Sequence, residues 1–360
     1  MAQINKPNEY FNTLIWSGVD GSDRAFTGVG FQPDLTWVKS RTDAYSHVIW
    51  DSVRGSGSNK ELYSDLTQSE GGTGSTATNG FLSSFDSDGF STDNGSANTS
   101  LYFNASGKTY VGWNWLAGGT GVSNTDGSIT STVSANTTSG FSIVSYTGTG
   151  SLATVGHGLG VAPKMIIVKG RTNVNNWVIY HESIGATKYL FFDTGASGTS
   201  IATWNNTAPT SNSFTVNTSS VCNGSGVDYI AYCFAEKKGF SKFGSYTGNG
   251  TATDGTFVYT GFKPGWVLIK WTGGVEQWQI WDSKRDTYNV QQKVLAPNSS
   301  NAEDTNGSGG YLLIDSLSNG FKVRGNPVSN AINGSGQNYI YMAFASEPLV
   351  GTNNIPATAR

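Results

Sequence analysis

The chain has 360 residues and a net charge of −3, with only 13% charged side chains but 12% aromatic ones, 11 of them Trp. Rings at that density bury too much surface for a disordered chain, and the length suits about two to four ordinary domains. No Lys/Arg-rich run points to nucleic acid, and no apolar stretch approaches the ~20 residues of a membrane-spanning helix, so neither nucleic-acid binding nor membrane insertion is expected.

Residues 1–15 read as an N-terminal arm; Met1 to Tyr10 lacks the apolar core of a signal peptide, so synthesis in a cytoplasm without secretory export is expected. A proline-led apolar run ending in lysine follows, Pro33 to Lys39, and returns as Pro163 to Lys169 and Pro264 to Lys270, each time with the lysine six places after the proline. A strand pattern comes next in each copy: His47-Val-Ile-Trp50, Trp177-Val-Ile-Tyr180 and Trp278-Gln-Ile-Trp281. Each copy closes with Asn-Gly/Ala-Ser-Gly-x-x-Tyr, from Asn104, Asn223 and Asn333, and then an apolar run. Self-similarity at a long period marks repeated architecture, and it divides the chain into repeats over 16–118, 140–242 and 243–360. The stretch 119–139, rich in Gly, Ser and Thr, reads as a linker.

Short runs of Val, Ile, Trp, Tyr and Phe bounded by Gly, Asn, Asp and Ser are strand signals. Phe85 to Phe90 and Ser316 to Val323 read as hairpins, with Asp-Gly and Asn-Gly supplying the positive φ of a tight turn. Val53 to Leu66 is the best helical window, and its periodicity is weak. The expected fold is all-β: three tandem antiparallel β-sandwich domains of jelly-roll or lectin-like type, strung along the chain.

Candidate chemistry is sparse. His47, His157 and His181 lie in no zinc-binding or nucleophile–base pattern. Asp86-Ser-Asp-Gly begins like a calcium loop, but position 95 is Gly where the pattern needs Glu. No catalytic residue, metal or cofactor is therefore assigned. Lys39, Lys169 and Lys270 read as strand-end side chains whose ammonium groups reach water. Cys222 and Cys233 read as free thiols, Cys233 as a core residue. The Asn-x-Ser/Thr triplets at Asn94, Asn223 and Asn333 read as turns. Trp177, Trp204, Trp271 and Trp278 are the candidates for stacking on a sugar face.

Phe26 to Arg41, Trp50-Asp-Ser-Val-Arg-Gly55, Phe85 to Phe90 and Asn104 to Trp115, with Tyr229 to Phe240 and Tyr341 to Pro348, resemble the repeated β domain of uncharacterised tailed-bacteriophage structural proteins of marine phages. The resemblance covers nearly the whole chain after residue 10; those domains are similar to concanavalin-like lectin sandwiches. It implies a virion protein, a tail fibre or receptor-binding component attaching to a host-surface glycan. A head decoration, a purely structural tail component and a glycan depolymerase are the alternatives. Other virion proteins and further copies of the chain are the implied partners, with a symmetric trimer covering exposed sheet edges.

Overall fold

The computed structural model describes residues 3–324, 330–351 and 356–358. The chain is all-β, built from antiparallel sheets, and its described α-helices are single turns, the longest being Ser75–Asn79. The window from Val53 to Leu66 is not helical: turns lead there into a two-residue strand, Leu62–Tyr63.

The first unit contains β1 (Phe11–Ser17), β2 (Arg24–Thr27), β3 (Leu35–Ser40), β4 (Val48–Asp51), β5 (Leu62–Tyr63), β6 (Phe81–Asp86), β7 (Gly89–Asp93) and β8 (Thr109–Trp115). They form a large sheet, β1-β8-β3-β4-β5, and a small one, β2-β7-β6. The second unit contains β9 (Val122–Asn124), β10 (Ser131–Asn136), β11 (Phe141–Thr147), β12 (Ala153–Gly156), β13 (Met165–Gly170), β14 (Val178–His181), β15 (Lys188–Phe191), β16 (Ser197–Thr199), β17 (Ser213–Val216) and β18 (Asp228–Phe234). Its sheets are β16-β15-β14-β13-β18-β11-β10-β9 and β12-β17. The third unit contains β19 (Ser241–Thr247), β20 (Phe257–Tyr259), β21 (Phe262–Trp271), β22 (Gln279–Asp282), β23 (Ile314–Leu317), β24 (Gly320–Val323) and β25 (Asn338–Pro348), paired as β19-β25-β21-β22 and β20-β24-β23. One order therefore recurs: first strand, last strand, proline–lysine strand, aromatic strand.

Two boundaries shift from the sequence reading. β1 begins inside the expected arm and pairs with β8 from Phe11↔Trp115 to Ser17↔Thr109. The stretch read as a linker carries β9 and β10, and β10 pairs with β11 from Thr132↔Ser145 to Asn136↔Phe141. Serine and threonine, which suggest a flexible segment by composition, here occupy a sheet with Ser131 and Ser134 buried. The hairpins at Phe85–Phe90 and Ser316–Val323 form with Phe85↔Phe90 and Leu317↔Gly320 among their pairs.

The repeated Asn and Tyr lock the ends of each large sheet. Asn104, Asn223 and Asn333 accept at Oδ1 from the amides of Val19 (3.0 Å), Thr149 (2.8 Å) and Asn249 (3.2 Å), fixing the turn after each first strand. Tyr110, Tyr229 and Tyr339 donate to the carbonyls of Leu101 (2.9 Å), Ser220 (2.6 Å) and Asn330 (2.7 Å) and accept from the amides of Ala105, Gly224 and Gly334. The intervening Gly107, Gly226 and Gly336 have φ of 73°, 71° and 68°, a conformation that only glycine adopts cheaply.

The proline–lysine strands are buried on both faces. Val38, then Ile166 and Val168, then Val267 and Ile269 turn toward the core that each large sheet makes with its own small sheet. The alternate residues Leu35 and Trp37, Met165 and Ile167, Trp266 and Leu268 turn the other way, into one hydrophobic cluster shared by all three units. The units thus follow one another in the chain but converge on a common core instead of standing apart as beads. The residual space among Trp37, Ile167, Trp177, Tyr232, Trp266 and Met342 is only about 20 Å³, room for a single water at most, and its lining is chiefly apolar.

Candidate functional site

The common core takes in two of the four candidate tryptophans, Trp177 and Trp278. Trp177, Trp204 and Trp278 are buried and Trp271 is only partly exposed, so the first three are not the sugar platforms expected of them. The indoles of Trp177 and Trp278 donate across unit boundaries to the carbonyls of Tyr63 (2.8 Å) and Phe191 (3.2 Å). Trp204 packs edge-on against Tyr180, and Trp271 donates to Gln337 Oε1 at 3.1 Å. Cys222 and Cys233 are free and buried, and burial pushes the Cys222 thiol up to about 12.

The recurring lysines do not reach water. Lys39, Lys169 and Lys270 are fully buried. Lys39 Nζ donates to the carbonyls of Ser40 (2.6 Å) and Asp43 (2.9 Å), Lys270 Nζ to those of Trp271 (2.6 Å) and Gly274 (2.7 Å). Lys169 Nζ donates to Asn175 O (2.6 Å) and, across the boundary, to Thr67 O (2.9 Å) of the first unit. Burial brings each ammonium down to about 8. The lysine at the strand end is thus a clasp for the loop that follows, and snorkelling fails because that loop, joined at Lys169 by the neighbouring unit, closes over it.

The histidines are committed in the same way. His47, His157 and His181 each accept at Nδ1, from Trp37 Nε1 (3.0 Å), Leu159 N (3.2 Å) and Ser183 N (3.2 Å), which leaves the proton on Nε2. Burial holds all three below the ordinary imidazole value, His181 at about 4. They are neutral structural residues.

Polar bolts join the units in a ring. In the first unit the buried Asp51 pairs with Arg54 and accepts at 2.8 Å from the hydroxyl of Tyr232, of the second unit. In the third, buried Asp282 pairs with Arg285 and accepts at 3.0 Å from the indole of Trp113, of the first. At the equivalent place in the second unit stands His181, whose Nε2 meets Tyr341 O of the third at 3.2 Å. Arg171 with Glu70 and Arg41 with Glu303 add ion pairs across two boundaries.

An open feature lies where the short connection Ala235–Phe240 passes from the second unit to the third. A cleft of about 850 Å³ lies there, walled by Lys164, Lys237, Lys238, Lys242, Glu236 and Tyr259. Its floor is tied down: Ile4 N donates to Lys238 O at 3.0 Å, and Gly239, at φ 76°, leaves no room for a Cβ against the Ile4 carbonyl. Lys164 pairs with Glu182, Lys242 with Glu236 at 2.7 Å, and Lys237 donates to Thr137 O. Lys238 is exposed, and its ammonium has no partner among the described residues. Tyr259 is 57% exposed. The doublet Lys237-Lys238, set in a chain so poor in charge, is the sequence signal for this wall; nothing local marks Tyr259, which reaches it only through the fold.

Among the described residues no group of three or more His, Cys, Asp and Glu side chains is placed to hold a metal ion, and no helix is long and apolar enough to cross a membrane. The fold and the cleft define an all-β protein of antiparallel sheets closed on one core, with a lysine- and tyrosine-walled opening at one junction. Residues 6–348 match the model of a family described as a domain of unknown function, DUF7483, and the chain belongs to that family. No curated protein and no solved structure matches it.

Proposed function

We propose that this protein is a structural component of a bacteriophage particle, a tail fibre or other receptor-contacting part, and that it acts by binding a host-surface glycan and not by catalysis. In this reading each sheet pair is a lectin-like β-sandwich, and the protein is made in the host cytoplasm, assembled with other virion proteins as a symmetric trimer of chains and released in the particle. The observation that carries it is the contrast between committed and open groups. The histidines and the recurring lysines are spent on internal hydrogen bonds, and the strand tryptophans Trp177 and Trp278 on bonds between units, whereas the cleft beside Tyr259 and Lys238 stays open. Rigid scaffolds that present open polar surface are suited to recognition, and repeated copies on a particle turn weak sites into firm attachment.

Gold-labelled antibody against the protein, imaged on intact particles, tests the placement. Label on tail fibres or the tail tip is expected; label confined to the head overturns the receptor reading in favour of a decoration role. Sedimentation of the purified protein tests the trimer, and a monomer at all concentrations removes that part.

A further inference from the structure

We infer that the cleft between the second and third units is a binding site for an acidic saccharide, one bearing carboxylate or phosphate groups; this rests on the glycan-binding reading above and names its ligand. Four of the cleft's walling side chains are lysines and one is a glutamate, in a chain whose overall charge is −3. The positive groups are thus gathered against the sign of the whole molecule. Their commitments differ. Lys237 is held by Thr137 O, and Lys164 and Lys242 are balanced by Glu182 and Glu236, whereas Lys238 stands exposed with its ammonium unanswered. An anion entering the cleft meets Lys238 first and shares Lys242 with Glu236.

The opposite wall supplies a ring. Tyr259 sits in β20, whose pairing Val258↔Phe321 and Tyr259↔Gly320 fixes its backbone. Phe257, two residues earlier on the same face of the strand, is 45% exposed but lies outside the cleft's lining. An aromatic face beside an ammonium group matches a sugar ring that carries an acid, the ring stacking on tyrosine and the acid meeting lysine. The volume lies within the range of small-ligand pockets. A nucleic-acid backbone fits less well, because Glu236 and Glu182 interrupt the row of cations that a continuous phosphate chain requires.

Calorimetric titration of the intact protein with oligogalacturonate, mannose 6-phosphate and maltoheptaose separates the arms: carboxylate, phosphate and neutral. Binding of at least one acidic sugar, weakened by salt, and no binding of maltoheptaose are expected. Lys238→Glu and Tyr259→Ala should each weaken it by roughly tenfold or more with unchanged thermal unfolding, while Lys284→Glu, on an exposed site elsewhere, leaves it unaltered. Equal binding of maltoheptaose, or acidic-sugar binding that Lys238→Glu does not touch, overturns the inference while leaving glycan attachment standing. Failure of both acidic sugars to bind also overturns it, and the particle labelling then decides the wider reading separately.

Discussion

The bolts of the first and third units and the bolt of the second solve one packing problem in two ways. Where the neighbouring unit brings a ring that can donate, Tyr232 or Trp113, it meets a buried aspartate, and the aspartate is neutralised by an arginine three residues on, Arg54 or Arg285. Each arginine also donates to the carbonyl two residues before its aspartate on the same strand, Ile49 O at 3.1 Å and Ile280 O at 3.0 Å. At the boundary where the register position of Tyr232 and Trp113 is filled by Met342, opposite Leu268, there is no donor to satisfy a carboxylate. There the aspartate is replaced by neutral His181 and the arginine by Ile184, which packs on the common core. The difference teaches that the charged bolt survives only as a complete set, because a buried charge without all its partners costs more than it contributes.

Removing one member should therefore break the contrast with the largest effect. Arg285→Ala leaves Asp282 buried and charged, and a loss of about 3–5 kcal/mol is expected in denaturant unfolding. Because the three units share one core, the loss should appear as a shift of a single transition. Copying the second unit's solution, with Trp113→Met, Asp282→His and Arg285→Ile together, should cost less than Arg285→Ala alone. A triple variant less stable than the single one would show that the bolts are not interchangeable.

Tyr232→Phe probes the same set more gently. It deletes the donor to Asp51 and leaves Arg54 in place, so a loss of about 1–3 kcal/mol is expected. No loss would mean that the arginine alone satisfies the carboxylate.

How much of this was legible in the sequence depends on the range of each contact. The proline–lysine strands, the Asp-Gly and Asn-Gly hairpins and the Asn-to-Tyr motif act within one unit, so their residues recur in register and can be read. The common core could not be read. A strand such as Met165 to Val168 is apolar at every position, and the sequence does not say whether its second face meets its own small sheet or another unit. Lys169 escaped the sequence for the same reason: a strand end looks solvated until the chain from Thr67 closes over it. The strands β9 and β10 were hidden by composition, since serine and threonine pair in a sheet as readily as they fill a loop. The cleft depends on what the second junction lacks. The first junction is long enough to lay β10 along β11, whereas Ala235–Phe240 is short, and the space beside it stays open.

The neutral bolt carries its own pH signature. His181 has a folded value of about 4, lowered chiefly by burial, against about 6.5 in an unfolded chain. Between these values the unfolded state binds more protons, so stability rises with pH: the contribution is full above about 6.5 and is lost as pH falls toward 4. Protonation would also cost the bond at Nδ1, which accepts from Ser183 N and cannot do so once protonated. The carboxylates of Asp34 and Asp65, raised chiefly by burial, titrate with the opposite sign, so the comparison to make is the unfolding profile of the wild type against that of His181→Gln. The difference between the two should slope by at most about 1.4 kcal/mol per pH unit over that window and be flat above it. In the charged bolts Arg54 and Arg285 are held in the charged state: burial works against it, and the carboxylates beside them outweigh burial. Mild acid should accordingly loosen the boundary between the second and third units before that between the first and second, and hydrogen exchange at Tyr341 and Met342 against that at Tyr232 reads out which of the two yields first.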